Sequence, residues 1–287
     1  MKLKVFILLF AISLTILSCS KSTSNNTVAA KVILNVPYGN DTAQTMDIYL
    51  PANRDSTTKV LLLIHGGAWQ SGDKNDFNQY VDTFQKRLPD YAIFNLNYRL
   101  ANPSSQNTNS FPTQEQDINS ATQFILNNEN NYLISNKWCI LGASSGAHLA
   151  MLQAFKNNQS IKPKVVIDFF GPTDMTDLYS FYSSNSLIQY GLSLLLNGTP
   201  TTNAILYSSS SPINFLVSSS PPTLILHGGL DDVVPYRESV SLHNKLTILG
   251  VPNKYVFYQN QGHGQFTGAD DIDSHNQIVS FIKSYMP

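Results

Sequence analysis

Lys137-Trp138-Cys139-Ile140-Leu141-Gly142-Ala143-Ser144-Ser145-Gly146-Ala147-His148 runs from an apolar segment into a helical pattern through a serine bracketed by glycines. Trp138 to Leu141 is apolar at every position, as a strand covered on both faces must be. Ala147 to Phe155 reads as a helix. Between them Gly142-Ala143-Ser144-Ser145-Gly146 has the form G-x-S-x-G, with small residues where a sharp strand-to-helix turn brings backbone close to backbone. Such a turn projects Ser144 from the strand end, and the helix N-terminus behind it favours negative charge. The five-residue pattern alone is common by chance; its strand-turn-helix setting makes Ser144 the candidate nucleophile. Ser145 lies one place late.

The pattern repeats outward in both directions. Apolar runs predict strands at Lys59 to His65, Tyr91 to Asn95, Lys164 to Phe170, Pro222 to His227 and Lys254 to Tyr258. Helical spacing predicts helices at Asp76 to Leu88, Thr113 to Asn127, Arg237 to Leu249 and Asp271 to Tyr285. Val32 to Val36 and Thr45 to Leu50, around a Tyr38-Gly39-Asn40-Asp41 turn, predict an extra antiparallel edge. Alternation of this kind predicts an α/β fold, a mostly parallel doubly wound sheet with helices on both faces. The rhythm breaks over 175–220, too long for an ordinary connection, which predicts a small cap insertion of one or two helices over a site.

Three further loops carry chemistry, each following a predicted strand. His65-Gly66-Gly67-Ala68-Trp69 has adjacent glycines that let backbone N–H groups turn toward a developing oxyanion, and losing one such donor costs roughly 10²–10³ in rate. The candidate donors are the amides of Gly67, Ala68 and Ser145; His65 reads as structural. His227-Gly228-Gly229-Leu230-Asp231-Asp232-Val233-Val234-Pro235 offers two competing acids. Asp231, earlier in the loop, is the assigned acid, and Asp232 then reads as a helix cap or exposed turn residue. Gln261-Gly262-His263-Gly264 places His263 on a glycine-flanked loop before the last helix, where an imidazole near neutrality takes and returns a proton. His148 on the helix after Ser144 reads as a distractor, packed near the turn or facing away. Asp270-Asp271-Asp273 reads as the acidic start of the last helix. No metal cluster or nucleotide loop stands out, so no cofactor is expected.

On these residues the chain resembles the α/β-hydrolase superfamily from Thr45 to its C-terminus, and within it serine carboxylesterases with features of the hormone-sensitive-lipase-like and feruloyl-esterase-like families. His65 to Trp69 is similar to the HGGG-type oxyanion loop, with Ala68 in place of a third glycine. Asn97-Tyr98-Arg99-Leu100, Asp117, Gly171-Pro172-Thr173-Asp174, Ser211-Pro212-Ile213 and Pro221-Pro222-Thr223 extend the resemblance. It implies the α/β-hydrolase fold, a Ser144–His263–Asp231 triad and an acyl-enzyme mechanism on carboxylic esters, with Asp117, Tyr98 and Arg99 as scaffold and Asp174 near the cleft. The implied substrates are acyl, feruloyl or acetyl groups on polysaccharide. General short-chain esters and an arylformamidase-like amide are alternatives, the latter disfavoured by export. A peptidase of the prolyl-oligopeptidase type ranks low because there is no room for its propeller, and a binding protein on an inactive scaffold ranks below the enzyme.

Composition sets the frame for that reading. A chain of 287 residues with 42% hydrophobic content supports a full core, and a net charge of −1 with 13% charged residues argues against nucleic acid as a partner. Lys2 and Lys4 precede an apolar run to Leu17, too short to span a membrane and shaped like a secretory signal. It ends in Ser18-Cys19, which resembles a bacterial lipoprotein signal. The expected division is therefore a signal over 1–19 ending at lipidated Cys19, a polar tether over 20–27 and a single domain over 28–287, held at the bacterial cell envelope by its lipid. Cys139, the other cysteine, reads as a buried small hydrophobe.

Overall fold

The computed structural model describes residues 28–102 and 108–287. The expected signal, its Cys19 and the tether lie outside the described residues.

Strands β1 (Lys31–Pro37), β2 (Thr45–Leu50), β3 (Lys59–Ile64), β4 (Tyr91–Leu96), β5 (Trp138–Ala143), β6 (Val165–Phe169), β7 (Thr223–Gly228) and β8 (Asn253–Tyr258) form one sheet in the order β1-β2-β4-β3-β5-β6-β7-β8. From β4 to β8 every pairing is parallel; β1 pairs with β2, and β2 with β4, antiparallel. The expected extra edge is there, and the sheet is doubly wound.

Strand β3 shows why. Val60, Leu62 and Ile64 pack into the core on one face, and Leu61 and Leu63 into the core on the other. All five are wholly buried, and each such side chain gains ~1.5–3 kcal/mol from leaving water. A strand apolar on both faces is stable only with helices on both sides. The α-helices of the described residues are α1 (Asn78–Arg87), α2 (Thr113–Asn127), the short α3 (Glu129–Tyr132), α4 (Ser145–Phe155), α5 (Met175–Phe181), α6 (Ser186–Leu195), α7 (Ala204–Ser209), α8 (Arg237–Ile248) and α9 (Gly268–Tyr285). A 3-10 turn, Lys74–Phe77, precedes α1, capped by the Asp73 side chain.

Two boundaries differ from expectation. Helix α4 begins at Ser145, directly after the turn, because Gly146 is already in its first turn. The 175–220 segment contains three α-helices, α5 to α7, and two 3-10 turns, Tyr182–Ser184 and Pro212–Phe215. These short helices hide their apolar spacing, but Leu178, Leu192, Leu195, Leu196 and Tyr207 join the core that holds Phe111 and Ile118.

Parallel order delivers the strand ends to one edge. The C-terminal ends of β3, β5, β7 and β8 carry the four loops singled out in the sequence, which is where an open α/β sheet offers its binding crevice.

Candidate active site

Ser144 sits between β5 and α4 at φ 54°, ψ −124°, a conformation that costs a non-glycine residue ~1–3 kcal/mol and persists only where the surroundings impose it. They do so by close packing. A methyl group on Gly142 would lie 2.2 Å from Gly146 O, and one on Gly146 would lie 2.1 Å from Ile64 O. The turn therefore closes only with hydrogen at both positions.

The imidazole and the acid arrive from the β8 and β7 loops. His263 Nε2 is 2.9 Å from Ser144 Oγ, and His263 Nδ1 is 2.7 Å from Asp231 Oδ2. Asp231 is buried and Asp232 beside it is exposed. Asp231 Oδ1 also accepts the N–H groups of Val233 and Val234, at 2.9 and 2.8 Å. Burial pushes the Asp231 carboxyl up, but hydrogen bonds from His227 and His263, the His263 charge and the Val234 amide outweigh it, holding the group well below the ordinary carboxylate range. Asp232 caps no helix: α8 starts at Arg237, after Tyr236.

The loop after β3 is held in an unusual backbone. Gly67, Ala68 and Trp69 have φ of 115°, 52° and 61°. Trp69 anchors the run, since its ring is buried, its indole N–H donates to His148 Nδ1 at 3.2 Å and its carbonyl accepts from Ala101. Gly67 and Ala68 line the cleft, and their N–H groups make no hydrogen bond among the described residues. The Ser145 side chain is buried, so it offers only its amide, in the first turn of α4 where backbone donors lack helical acceptors.

The other candidates are scaffold. His65 stacks on Tyr98 at 4.4 Å and accepts the Tyr98 hydroxyl on its carbonyl; burial, its leading influence, lowers its pKa. His148 is buried, its Nε2 donating to Ser210 O at 2.7 Å. Burial pulls it down to about 4, so it stays neutral. Asp117 accepts from Arg99 and Gln44. Asp174 caps α5 through Thr176 and Asp177, and Asp270 and Asp271 fall in the first turn of α9.

A cleft of about 660 Å³ opens over Ser144. Its walls are the Gly66–Gly72 loop, Asp76, Phe77, Gln79 and Tyr80 ahead of and on α1, Phe169 and Phe170 at the end of β6, Val233, and His263 to Gln265. The insertion contributes no side chain to this wall. It ties in from outside: Tyr182 donates its hydroxyl to Val233 O at 2.6 Å, and Arg237 pairs with Asp177. Two wall features were not singled out in the sequence. Phe170, at φ 47°, packs its ring 4.7 Å from that of His263. The Asp76–Tyr80 wall is pinned by Lys74, whose ammonium is buried 3.1 Å from Asp47 on β2. The signal for the first was an aromatic pair closing an apolar strand; the second had none beyond helical spacing.

A sheet of this order, with a strained serine after its central β5 and the histidine and acid on the last two strand loops, is the α/β-hydrolase fold. The chain belongs to the BD-FAE family, whose profile matches residues 46–246. It is 24% identical over 245 residues to Esterase LipC of Mycobacterium tuberculosis, covering 80% of this chain and 59% of that one. The chain spans between 24% and 59% of the length of that and two further curated relatives. Among solved structures it resembles a bifunctional GH43-CE protein of Bacteroides eggerthii (TM-score 0.74, 24% identity, 89% of this chain and 35% of that one). It also resembles a truncated carbohydrate esterase from gut microbiota (TM-score 0.73, 24% identity, 90% and 97%). At these identities the structural likeness is one of fold.

Proposed function

We propose that the protein is a serine hydrolase that cleaves carboxylic esters by two-step acyl transfer. The observation that carries this is the unbroken chain Asp231–His263–Ser144, with links of 2.7 and 2.9 Å, at the floor of a cleft. His263 Nε2 takes the Ser144 proton as Oγ attacks the ester carbonyl. The charge that develops on the carbonyl oxygen is met by the amides of Gly67, Ala68 and Ser145. His263 then protonates the leaving alkoxide, and water, activated by the same imidazole, releases the acid. Asp231, ionised and anchored, holds the imidazole in the required tautomer.

For substrate we propose acyl groups carried on polysaccharide, feruloyl or acetyl esters above all. Membership of the BD-FAE family and the likeness to a protein described as a carbohydrate esterase support this. The apolar wall of Phe77, Tyr80, Phe169 and Phe170 suits an acyl group, and the open cleft leaves room for a bulky alcohol. The Lys2–Cys19 segment supports lipid anchoring at the cell envelope.

The test is turnover of p-nitrophenyl acetate beside Ser144→Ala, for which a loss near ~10⁶ in kcat is expected, the scale of nucleophile removal in a serine protease. Equal activity in both proteins removes Ser144 from the mechanism. A panel of acyl chain lengths run with feruloylated and acetylated oligosaccharides assigns the substrate; preference for simple short-chain esters would leave it a general carboxylesterase. Failure of Cys19→Ser to abolish fatty-acid labelling would remove the anchor.

A further inference from the structure

Asp231 is held from behind by a second histidine. His227, on β7, is wholly buried and lines no part of the cleft. Its Nε2 lies 3.2 Å from Asp231 Oδ2, the same oxygen that receives His263, and 2.9 Å from Val234 O. Its Nδ1 lies 2.7 Å from Ser239 Oγ on α8. The protons can be assigned from chemistry. An ionised carboxylate and a carbonyl only accept, so Nε2 carries the hydrogen and forks it between them. Nδ1 is then bare and accepts the Ser239 hydroxyl. One tautomer of a neutral imidazole satisfies all three partners.

With this bond the Asp231 carboxylate is fully enclosed. Oδ1 takes the Val233 and Val234 amides, and Oδ2 takes His263 and His227. The two amides fix one oxygen but leave the carboxylate plane free to rock about it. The donor on Oδ2 opposite His263 removes that freedom.

We infer that His227 is a positioning residue for the proposed reaction: it orients Asp231 toward His263 through a hydrogen bond from Nε2, and Ser239 sets the tautomer that makes this possible. The inference rests on the serine-hydrolase reading of the site. It separates two roles for neighbouring groups, because His227 touches neither the cleft nor the reacting atoms. Its loss should slow proton transfer and leave substrate binding alone.

The test uses three substitutions of similar size. Gln places an amide nitrogen near the position of Nε2 and keeps a donor for Asp231. Asn places its nitrogen near Nδ1 and reaches only toward Ser239. Leu offers neither. In p-nitrophenyl acetate turnover, His227→Asn and His227→Leu should lose about 10- to 100-fold in kcat, the effect of one or two lost hydrogen bonds to a charged group, with KM within about twofold. His227→Gln should recover most of that loss. Ser239→Ala should show a smaller loss, also in kcat, and serves if a His227 variant does not fold. Crystal structures of the Gln and Asn variants decide the matter apart from turnover: Asp231 Oδ2 should stay on His263 Nδ1 in the first and swing off it in the second. Equal impairment of the Gln and Asn variants, a loss confined to KM, or an unmoved Asp231 in His227→Asn would overturn the inference. A wild-type protein with no esterase activity would sink the hydrolase reading, and the two crystal structures would still decide the orienting bond.

Discussion

Asp231 and Asp232 are neighbours in sequence and opposites in environment: Asp231 Oδ2 lies 2.7 Å from His263 Nδ1 in the buried interior, while Asp232 is exposed to solvent. Asp231→Asn should cost about 10⁴ in kcat, the scale seen when the acid of a triad is replaced by its amide and the histidine tautomer is lost. Asp232→Asn should change kcat less than about twofold, as a substitution at an exposed position outside the triad does. Parallel kcat measurements on one ester substrate check both, and equal losses would reassign the acid.

The glycines of the serine turn should be intolerant. Gly146→Ala places a methyl 2.1 Å from the Ile64 carbonyl, so either β3 or α4 must move. A loss of at least ~1–3 kcal/mol in urea unfolding is expected, as for overpacking elsewhere. Gly191→Ala is the control: among the described residues nothing lies within 4 Å of the added carbon. There, in the middle of α6, alanine should be neutral or stabilising by up to ~1 kcal/mol. Similar stability of the two variants would refute the packing argument.

Lys74 and Asp47 form a buried pair that pins the cleft wall to β2. Lys74→Ala leaves an unpaired buried carboxylate and should destabilise by ~3–5 kcal/mol. The same variant should raise KM, since Asp76, Phe77 and Tyr80 lose their anchor. Urea unfolding and steady-state kinetics on one preparation check the two halves separately.

Two buried groups should shape the pH dependence of stability in opposite senses. Burial pushes the Asp168 carboxyl up to about 7, against the hydrogen bond from the Gly171 amide. The native state therefore holds a proton that the unfolded chain releases near its ordinary value. Its stabilisation is complete in acid and falls away as pH rises toward about 7. His148 behaves in the reverse sense. Burial lowers it to about 4, so the unfolded chain takes up a proton first, and stability is lost as pH falls from the ordinary histidine range toward that value. The two windows overlap between about 4 and 6.5, where the slopes oppose, so melting temperature should be nearly flat with pH across that range. Asp168→Asn should unmask a melting temperature that rises with pH over this range, and His148→Gln one that falls. Unchanged slopes in both variants would contradict the assignment.

Much of this was readable in the chain because the chemistry demands rare local patterns. Val60 to Ile64 is apolar at consecutive positions, which only a two-sided sheet accommodates. Gly142 and Gly146 are where the serine turn needs hydrogen. What was not readable depends on side-chain direction across distant elements. His227 reads as the end of an apolar strand leading into the acid loop, and nothing local reveals that its ring meets Ser239 on α8. Phe170 gives no sign that its backbone turns to positive φ and lays its ring on His263. The helices of the insertion are short enough that their periodicity is lost, so spacing predicts one or two where there are three. The position of that segment is set by packing of Leu178, Leu192 and Tyr207 into the core that holds Phe111 and Ile118, which sequence spacing does not encode.

Strand order has a consequence for how the protein fails. The serine is rooted in β5, at the middle of the sheet, whereas the imidazole hangs from the loop after β8, an outermost strand with one paired side. Outer strands open at lower free energy than central ones, through local fluctuations that leave the rest of the domain intact. Mild denaturant should therefore silence turnover while the fluorescence of Trp138, sealed inside β5, still reports a native interior. The nucleophile would outlive its base.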